Sequence, residues 1–136
     1  MFPSLGATAF LIFETPMAEV GSPRNTIIGH SVGVAAGALS LAIFGLLHAQ
    51  SVYVVGMTPA RIGAVAVAVA LTGGVLRVLR SAHPPAGATT IIVASGLLAH
   101  PRQWLDIIVG VLLLTVAGWV INRSLGVPAP IWSARK

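Results

Sequence analysis

Charged residues and prolines cut the chain into five apolar stretches, and within each stretch the hydrophobic positions run on without alternation. Strands of a membrane barrel would need polar and apolar residues alternating in units of about ten, so these runs predict helices. The first, Ser4 to Phe13, covers only about 15 Å as a helix, half of a bilayer core. It ends in a polar, proline-containing connection, Glu14-Thr15-Pro16 through Pro23-Arg24-Asn25. The second, Thr26 to Leu47, carries no formal charge and is long enough to span. The third starts near Pro59, a good first-turn residue, and reaches Leu79, with Arg61 and Arg77 near its ends able to snorkel. The fourth runs from His83-Pro84-Pro85 to about Leu98, and the fifth from Trp104 to Asn122, closed by Arg123.

The expected fold is therefore all-α, a polytopic membrane helix bundle of four to five apolar segments, two of them short enough to be half or re-entrant helices. Residues 1–126 read as a single transmembrane domain. Residues 127–136, with two prolines and a basic end, read as a surface tail.

Composition agrees with lipid as the solvent: 56% of residues are hydrophobic and 8% charged, against about 25% charged in soluble domains, and the mean hydropathy is +0.93. The formal net charge is +5, but the basic residues stand singly between apolar runs, which argues against nucleic acid and for span-flanking anchors. The chain has no cysteine, which excludes disulfides and thiolate chemistry. The apolar opening lacks a basic leader region and Glu14 follows it, which disfavours a cleaved signal peptide. If every segment crosses, Arg24, Arg77, Arg80, Arg123, Arg135 and Lys136 lie on one side, against Arg61 and Arg102 on the other. That bias predicts a multi-pass cell-membrane protein with a cytoplasmic C-terminus. Trp104, Trp119 and Trp132 suit membrane interfaces.

Two short patterns recur in the same order. Gly6-Ala7-Thr8 returns as Gly87-Ala88-Thr89, each three residues after a proline, Pro3 and Pro84, and Pro23-Arg24-Asn25 returns as Pro101-Arg102-Gln103. Gly33 then matches Gly110. Three segments separate the start of the first copy from the start of the second, so if all cross the copies are inverted, an arrangement in which discontinuous helices meet around a substrate near the bilayer midplane. The counterpart of the third segment, which should precede the first, is absent, so a further N-terminal span is expected. Gly29, Gly33 and Gly37 recur every four residues and form a smooth face for close helix packing, with Gly110 as its echo.

The candidate chemistry follows from the two short segments. Ser4, Gly6, Ala7 and Thr8 in the first, and His83, Pro84, Pro85, Gly87, Ala88 and Thr89 in the second, form a candidate anion cradle: prolines and glycines expose helix N-termini whose N–H groups and dipoles favour negative charge. His83 either donates to an anion and carries protons or simply caps the Pro-Pro turn. Thr8 and Thr89 offer hydroxyls to a substrate or to their own preceding turns. Arg24 is an interfacial anchor or, with Pro23 and Asn25, a gate or clamp. Arg77 and Arg80 draw anions or mark the positive side. Gly29-His30 places an ionisable ring inside an apolar span, a functional position unless a backbone carbonyl satisfies it. His48 and His100 fall at segment ends.

The run His83-Pro84-Pro85-Ala86-Gly87-Ala88-Thr89, with Pro23-Arg24-Asn25 and Gly29-His30 upstream, resembles the HPP family of integral membrane proteins, named for its His-Pro-Pro motif. The resemblance covers Gly6 to about Gly126. It implies a small protein of about four spans, with plant plastid and cyanobacterial members linked to nitrite transport. The chain departs from that pattern in lacking the span that normally precedes the first Gly-Ala-Thr, and in carrying Glu14 and Glu19 in the connection.

No acidic pair, phosphate loop or metal-binding signature appears, so no enzyme activity, metal or cofactor is expected. The expected function is a transporter or channel for a small inorganic anion, nitrite by resemblance, with the lipid bilayer and the anion as partners and a homo-oligomer as a further association. The alternative is a non-transporting membrane subunit or scaffold that associates through glycine-rich helix faces.

Overall fold

Residues 3–98 and 100–134 are described by a computed structural model of the chain. It contains α1 (Pro3–Glu14), a short 3-10 turn (Glu19–Gly21), α2 (Pro23–Ile43), α3 (Val52–Val55), α4 (Pro59–Val78), α5 (Pro85–Ala94) and α6 (Pro101–Ser124). No strand occurs among the described residues. Three helices, α2, α4 and α6, are long and apolar enough to cross a membrane, which makes this a multi-pass helical bundle.

Proline opens five of the helices, where its missing N–H costs nothing. The Ser22 hydroxyl accepts the Asn25 N–H ahead of α2, and the Thr58 hydroxyl accepts the Arg61 N–H ahead of α4. Four helices close on a left-handed residue, Gly45, Arg80, Gly96 or Gly126, after which the next N–H reaches back to the helix. Those returning bonds are Leu46 to Leu41, Ser81 to Leu76, Leu97 to Ile92 and Val127 to Asn122.

The distribution of side chains is inverted relative to a soluble globule. The buried set includes Ser4, Thr8, Asn25, Thr26, His30, Ser40, Arg61, Thr72, His83, Thr89 and Thr90, while Phe10, Leu39, Ile43, Val78, Leu105, Leu113 and Val116 face outward. In lipid the apolar exterior costs nothing and the polar groups must find partners inside.

Small residues set the helix contacts. A Cβ on Gly29 would meet the His83 side chain at 2.7 Å, one on Gly33 the Ala86 carbonyl oxygen at 2.8 Å, and one on Gly37 the Val93 side chain at 2.8 Å. Thus α5 lies along α2 in the same direction. The Ser40 hydroxyl donates to the Ala64 carbonyl at 2.6 Å, and Arg24 reaches Leu79, so α4 runs antiparallel to α2. Leu41, Val93, Leu98 and Ile107 close the apolar core at the far end of α2 and bring the start of α6 there.

The remaining short helix repeats this arrangement upside down. Gly110 of α6 faces Leu5, Gly118 faces Ile12, and Asn122 donates its amide to the Ile12 carbonyl at 2.9 Å, so α1 runs parallel to α6. Leu5 and Ala86 stand equally far after Pro3 and Pro84, and they meet Gly110 and Gly33, the glycines paired by the repeat. Each short helix therefore begins about 15 Å along its long partner and runs toward the opposite end from the other.

Several expectations change. The fourth segment is not re-entrant. Ser81 and His83 are buried while Ala82 and Pro84 are exposed, the two-residue period of extended chain. This stretch descends from the Arg24 end to the start of α5, and α5 continues to the Arg61 end, so the extended stretch and the half-helix together cross the bundle. The described part of the tail is not a free extension: Ala129 is 5% exposed, and the Arg24 N–H donates to the Trp132 carbonyl at 2.9 Å. Arg135 and Lys136, which entered the charge count, lie outside the described residues. The sidedness of the other arginines holds, with Arg24, Arg77, Arg80 and Arg123 at one end and Arg61 and Arg102 at the other.

Candidate functional site

Where the first turns of α1 and α5 pass each other, four side chains from four parts of the chain form one hydrogen-bonded cluster. His30, one turn below the Asn25 end of α2, sits between the two repeat-related threonines: Thr8 Oγ1 lies 2.8 Å from its Nε2, and Thr89 Oγ1 lies 2.7 Å from its Nδ1. His83 comes in from the extended stretch. Its Nε2 is 3.2 Å from His30 Nε2 and 3.3 Å from Thr8 Oγ1, and its Nδ1 is 2.8 Å from the Val20 carbonyl oxygen. The rings meet edge to face with centroids 4.9 Å apart.

The carbonyl fixes the protons. Val20 O can only accept, so His83 Nδ1 donates and, in the neutral ring, Nε2 is bare. The close Nε2 pair then requires the hydrogen to sit on His30, whose own Nδ1 is left to accept from the Thr89 hydroxyl. The Thr8 hydroxyl donates to the Ser4 carbonyl at 3.0 Å and accepts from His30. In this set of tautomers Thr8 Oγ1 and His83 Nε2 share the single hydrogen on His30 Nε2, so the cluster holds together without an added proton. The cluster is sealed: Thr8, His30 and Thr89 are wholly buried and His83 is 2% exposed.

Two hydroxyls beside it have no partner. Ser4 Oγ, one turn from Thr8 on the same face of α1, and Thr26 Oγ1, one turn from His30 on the same face of α2, are buried and unbonded. Unpaired buried hydroxyls each cost roughly 1–3 kcal/mol, so a polar occupant at either position would recover part of that.

Not all the cradle residues gather there. Gly6 and Ala7 face away from the cluster and are exposed, and Gly87 and Ala88 are half-buried, with open space beside both Gly6 and Gly87. A helix turns about 100° per residue, so glycine and threonine two positions apart point in opposite directions. Pro84 is exposed and Pro85 is buried against the bundle. The N–H groups opening α5 are also less free than anticipated: Ala86 N–H donates to the His83 carbonyl and Gly87 N–H to the Pro84 carbonyl, each at 3.0 Å. Of the candidate cradle residues, Ser4, Thr8, His83 and Thr89 thus come together, and His30 joins them.

Pro23-Arg24-Asn25 acts as a clamp. Arg24 donates to the Leu79 carbonyl at 3.0 Å, the Arg80 carbonyl at 3.2 Å and Asn25 Oδ1 at 3.0 Å, and Asn25 donates to the Ala82 carbonyl at 3.2 Å. The motif ties the end of α4 and the stretch leading to His83 onto α2. Gly29, Gly33 and Gly37 are occupied by α5 within the chain, which removes them as an association surface between chains. Beside the clamp, a cleft of about 440 Å³ is lined by Glu19, Gly73, Leu76, Arg77, Arg80 and Ala82, the neighbour of His83.

Two features were not anticipated. Arg61, taken for a snorkelling anchor, is 1% exposed and donates to the Gln50 carbonyl at 2.7 Å and the Ala94 carbonyl at 3.3 Å, so its charge caps the C-terminal end of α5. Its guanidinium rests on Gly96, where a Cβ would come within 3.0 Å. Thr90 and Thr72 form a further buried hydroxyl pair at 2.8 Å between α5 and α4. A positive charge in the first turn of an apolar helix, and a threonine in the middle of one, are the signals the sequence held.

Comparison with known proteins places this architecture. A transmembrane protein of Dictyostelium discoideum is 30% identical over 124 residues, 88% of this chain and 40% of the relative. A second from the same organism is 31% identical over 101 residues, 74% of this chain and 28% of the relative. The chain thus spans less than half the length of these curated relatives. No solved structure matches. The family model described as HPP, transmembrane region, matches residues 1–129, so the chain belongs to the HPP family of transmembrane proteins.

Proposed function

We propose that the protein moves a small inorganic anion across the membrane, with nitrite as the first candidate. One observation carries this reading: Thr8 and Thr89, equivalent residues of two oppositely directed half-helices, both bond a single imidazole, His30, deep in the bundle. Half-helices that start inside a membrane direct positive dipole ends at a buried site, as transporters built from inverted repeats use for anions. Among the described residues no carboxylate hydrogen-bonds the cluster, and the orphan hydroxyls Ser4 Oγ and Thr26 Oγ1 supply spare donors beside it. The cleft with Arg77 and Arg80 serves as the approach, its two positive charges outweighing Glu19.

The buried cluster is a closed state. Passage requires α1 and α5 to part, with the Arg24 clamp holding the His83 stretch at one end and Arg61 holding α5 at the other. The arginine-rich end that also receives the tail faces the cytoplasm in this reading, consistent with the positive-inside bias.

Purified protein in liposomes, loaded with nitrite on one side, tests the proposal. The expected result is protein-dependent nitrite equilibration that His30→Gln and Thr89→Val reduce at least tenfold. Nitrite, nitrate and formate fluxes all equal to those of protein-free vesicles would overturn it, and would leave a membrane subunit or scaffold as the better reading.

A further inference from the structure

We infer that the His30–His83 pair binds the proton that travels with the anion, making the protein an electroneutral proton–anion symporter; this rests on the anion-transport reading. The argument begins with the hydrogen count. With Val20 O accepting from His83 Nδ1, the neutral pair holds one hydrogen between the two Nε2 atoms, shared with Thr8 Oγ1. A further proton has two places to go. On His83 Nε2 it would set two N–H groups against each other across 3.2 Å, leaving Thr8 Oγ1 as the acceptor for one of them. On His30 Nδ1 it would meet the Thr89 oxygen at 2.7 Å and turn that hydroxyl's hydrogen away. The first addition breaks the bond between α2 and the extended stretch and the second reverses the bond between α2 and α5, so protonation reorganises the contacts that hold the cluster closed.

Charge makes the proton and the anion partners. The charged side chains on the packed elements are Glu14 on α1, Glu19 in the 3-10 turn, Arg24 on α2, Arg61 and Arg77 on α4, Arg80 beside the extended stretch, and Arg102, Asp106 and Arg123 on α6; α5 carries none. The rings' polar partners are Thr8, Thr89, the Val20 carbonyl and each other. An imidazolium formed there has no carboxylate against it, and an unpaired buried charge is costly. A small anion arriving with the proton removes that cost, and by linkage each ligand raises the affinity for the other equally. The balance is one anion and one proton entering a neutral site and leaving from the other side, with no net charge moved.

The unbonded Ser4 and Thr26 hydroxyls lie one helical turn from Thr8 and from His30 respectively, and give the anion donors distinct from the rings. The pair and its flanking hydroxyls thus divide the labour, proton on imidazole and anion on hydroxyl.

The test uses the full chain in liposomes containing a trapped pH dye, with nitrite measured chemically and protein-free vesicles subtracted to remove permeation by nitrous acid. An inward nitrite gradient is expected to acidify the lumen with about one proton per nitrite. The rate should be unchanged when potassium and valinomycin impose a membrane potential. Nitrite uptake that follows the imposed potential and brings no proton would overturn the coupling while leaving anion transport standing. Absence of protein-dependent uptake would overturn both. In detergent, adding nitrite to lightly buffered wild-type protein should raise the pH as protons are taken up. His30→Gln and His83→Asn, checked for a monodisperse profile, should abolish that change. Proton uptake of equal size in wild type and both variants would also overturn the assignment.

Discussion

His30 Nε2 and His83 Nε2 stand 3.2 Å apart, joined across a sequence separation that spans most of the bundle, and Gly29 makes that approach feasible. A Cβ at Gly29 would come within 2.7 Å of the His83 Cβ, so even alanine forces the extended stretch outward. Gly29→Ala is expected to lower stability by about 1–3 kcal/mol through overpacking and to reduce nitrite flux. Gly87→Ala, with open space at the Cβ, should be neutral or stabilising by up to about 1 kcal/mol from helix propensity. Thermal unfolding in detergent distinguishes the two.

Thr89 and Thr90 are adjacent, yet their loss should differ. Thr89→Val leaves His30 Nδ1 as a buried acceptor without a donor, at about 1–3 kcal/mol. In Thr90→Val the partner Thr72 keeps its bond to the Ala68 carbonyl, so the cost should be under about 1 kcal/mol. Chemical denaturation in mixed micelles measures both.

Arg61 and Arg102 differ more in environment than in sequence. Arg61→Ala removes a buried charge bonded to two carbonyls at α5's end, and a loss of about 2–4 kcal/mol is expected. Exposed Arg102→Ala should stay within about 0.5 kcal/mol. Equal effects would show that Arg61 is a snorkelling anchor after all.

Arg24→Ala should loosen the stretch that carries His83 before it affects the long helices. Hydrogen exchange followed by mass spectrometry is expected to speed up over residues 79–84, with α6 unchanged. Uniform acceleration throughout would mean that the clamp has no local role.

The absence of cysteine makes sidedness directly measurable. Single replacements Ser124→Cys and Ser133→Cys should react with impermeant maleimide from the cytoplasmic side only, and Gln50→Cys and His100→Cys from the other. Reversed labelling would invert the orientation and refute a cytoplasmic C-terminus.

Much of this architecture was legible from particular residues. Pro3, Pro23, Pro59, Pro85 and Pro101 mark helix starts, because proline is tolerated in the first turn and not inside. The shortness of the first and fourth segments exposed both half-helices, and the order of Gly-Ala-Thr and Pro-Arg repeats anticipated their opposed directions. Residue directions were harder. Gly6 and Thr8 belong to one motif but two faces, so Gly6, Ala7, Gly87 and Ala88 of the expected cradle lie away from the cluster.

The sequence alone determined the solvent and the approximate extent of the long apolar helices, since both follow from local chemistry: apolar length, charge placement and proline. Only the tertiary structure decided which faces meet. In a chain whose exterior is lipid, both the outer and inner sides of a helix are apolar, so periodicity does not reveal the buried side. Hence Arg61 and Arg102 looked alike, and Gly37 could equally have served a neighbouring chain. Packing of α5 against α2 and α4 settled those choices, and the convergence of four separate segments made a cluster of His30, His83, Thr8 and Thr89.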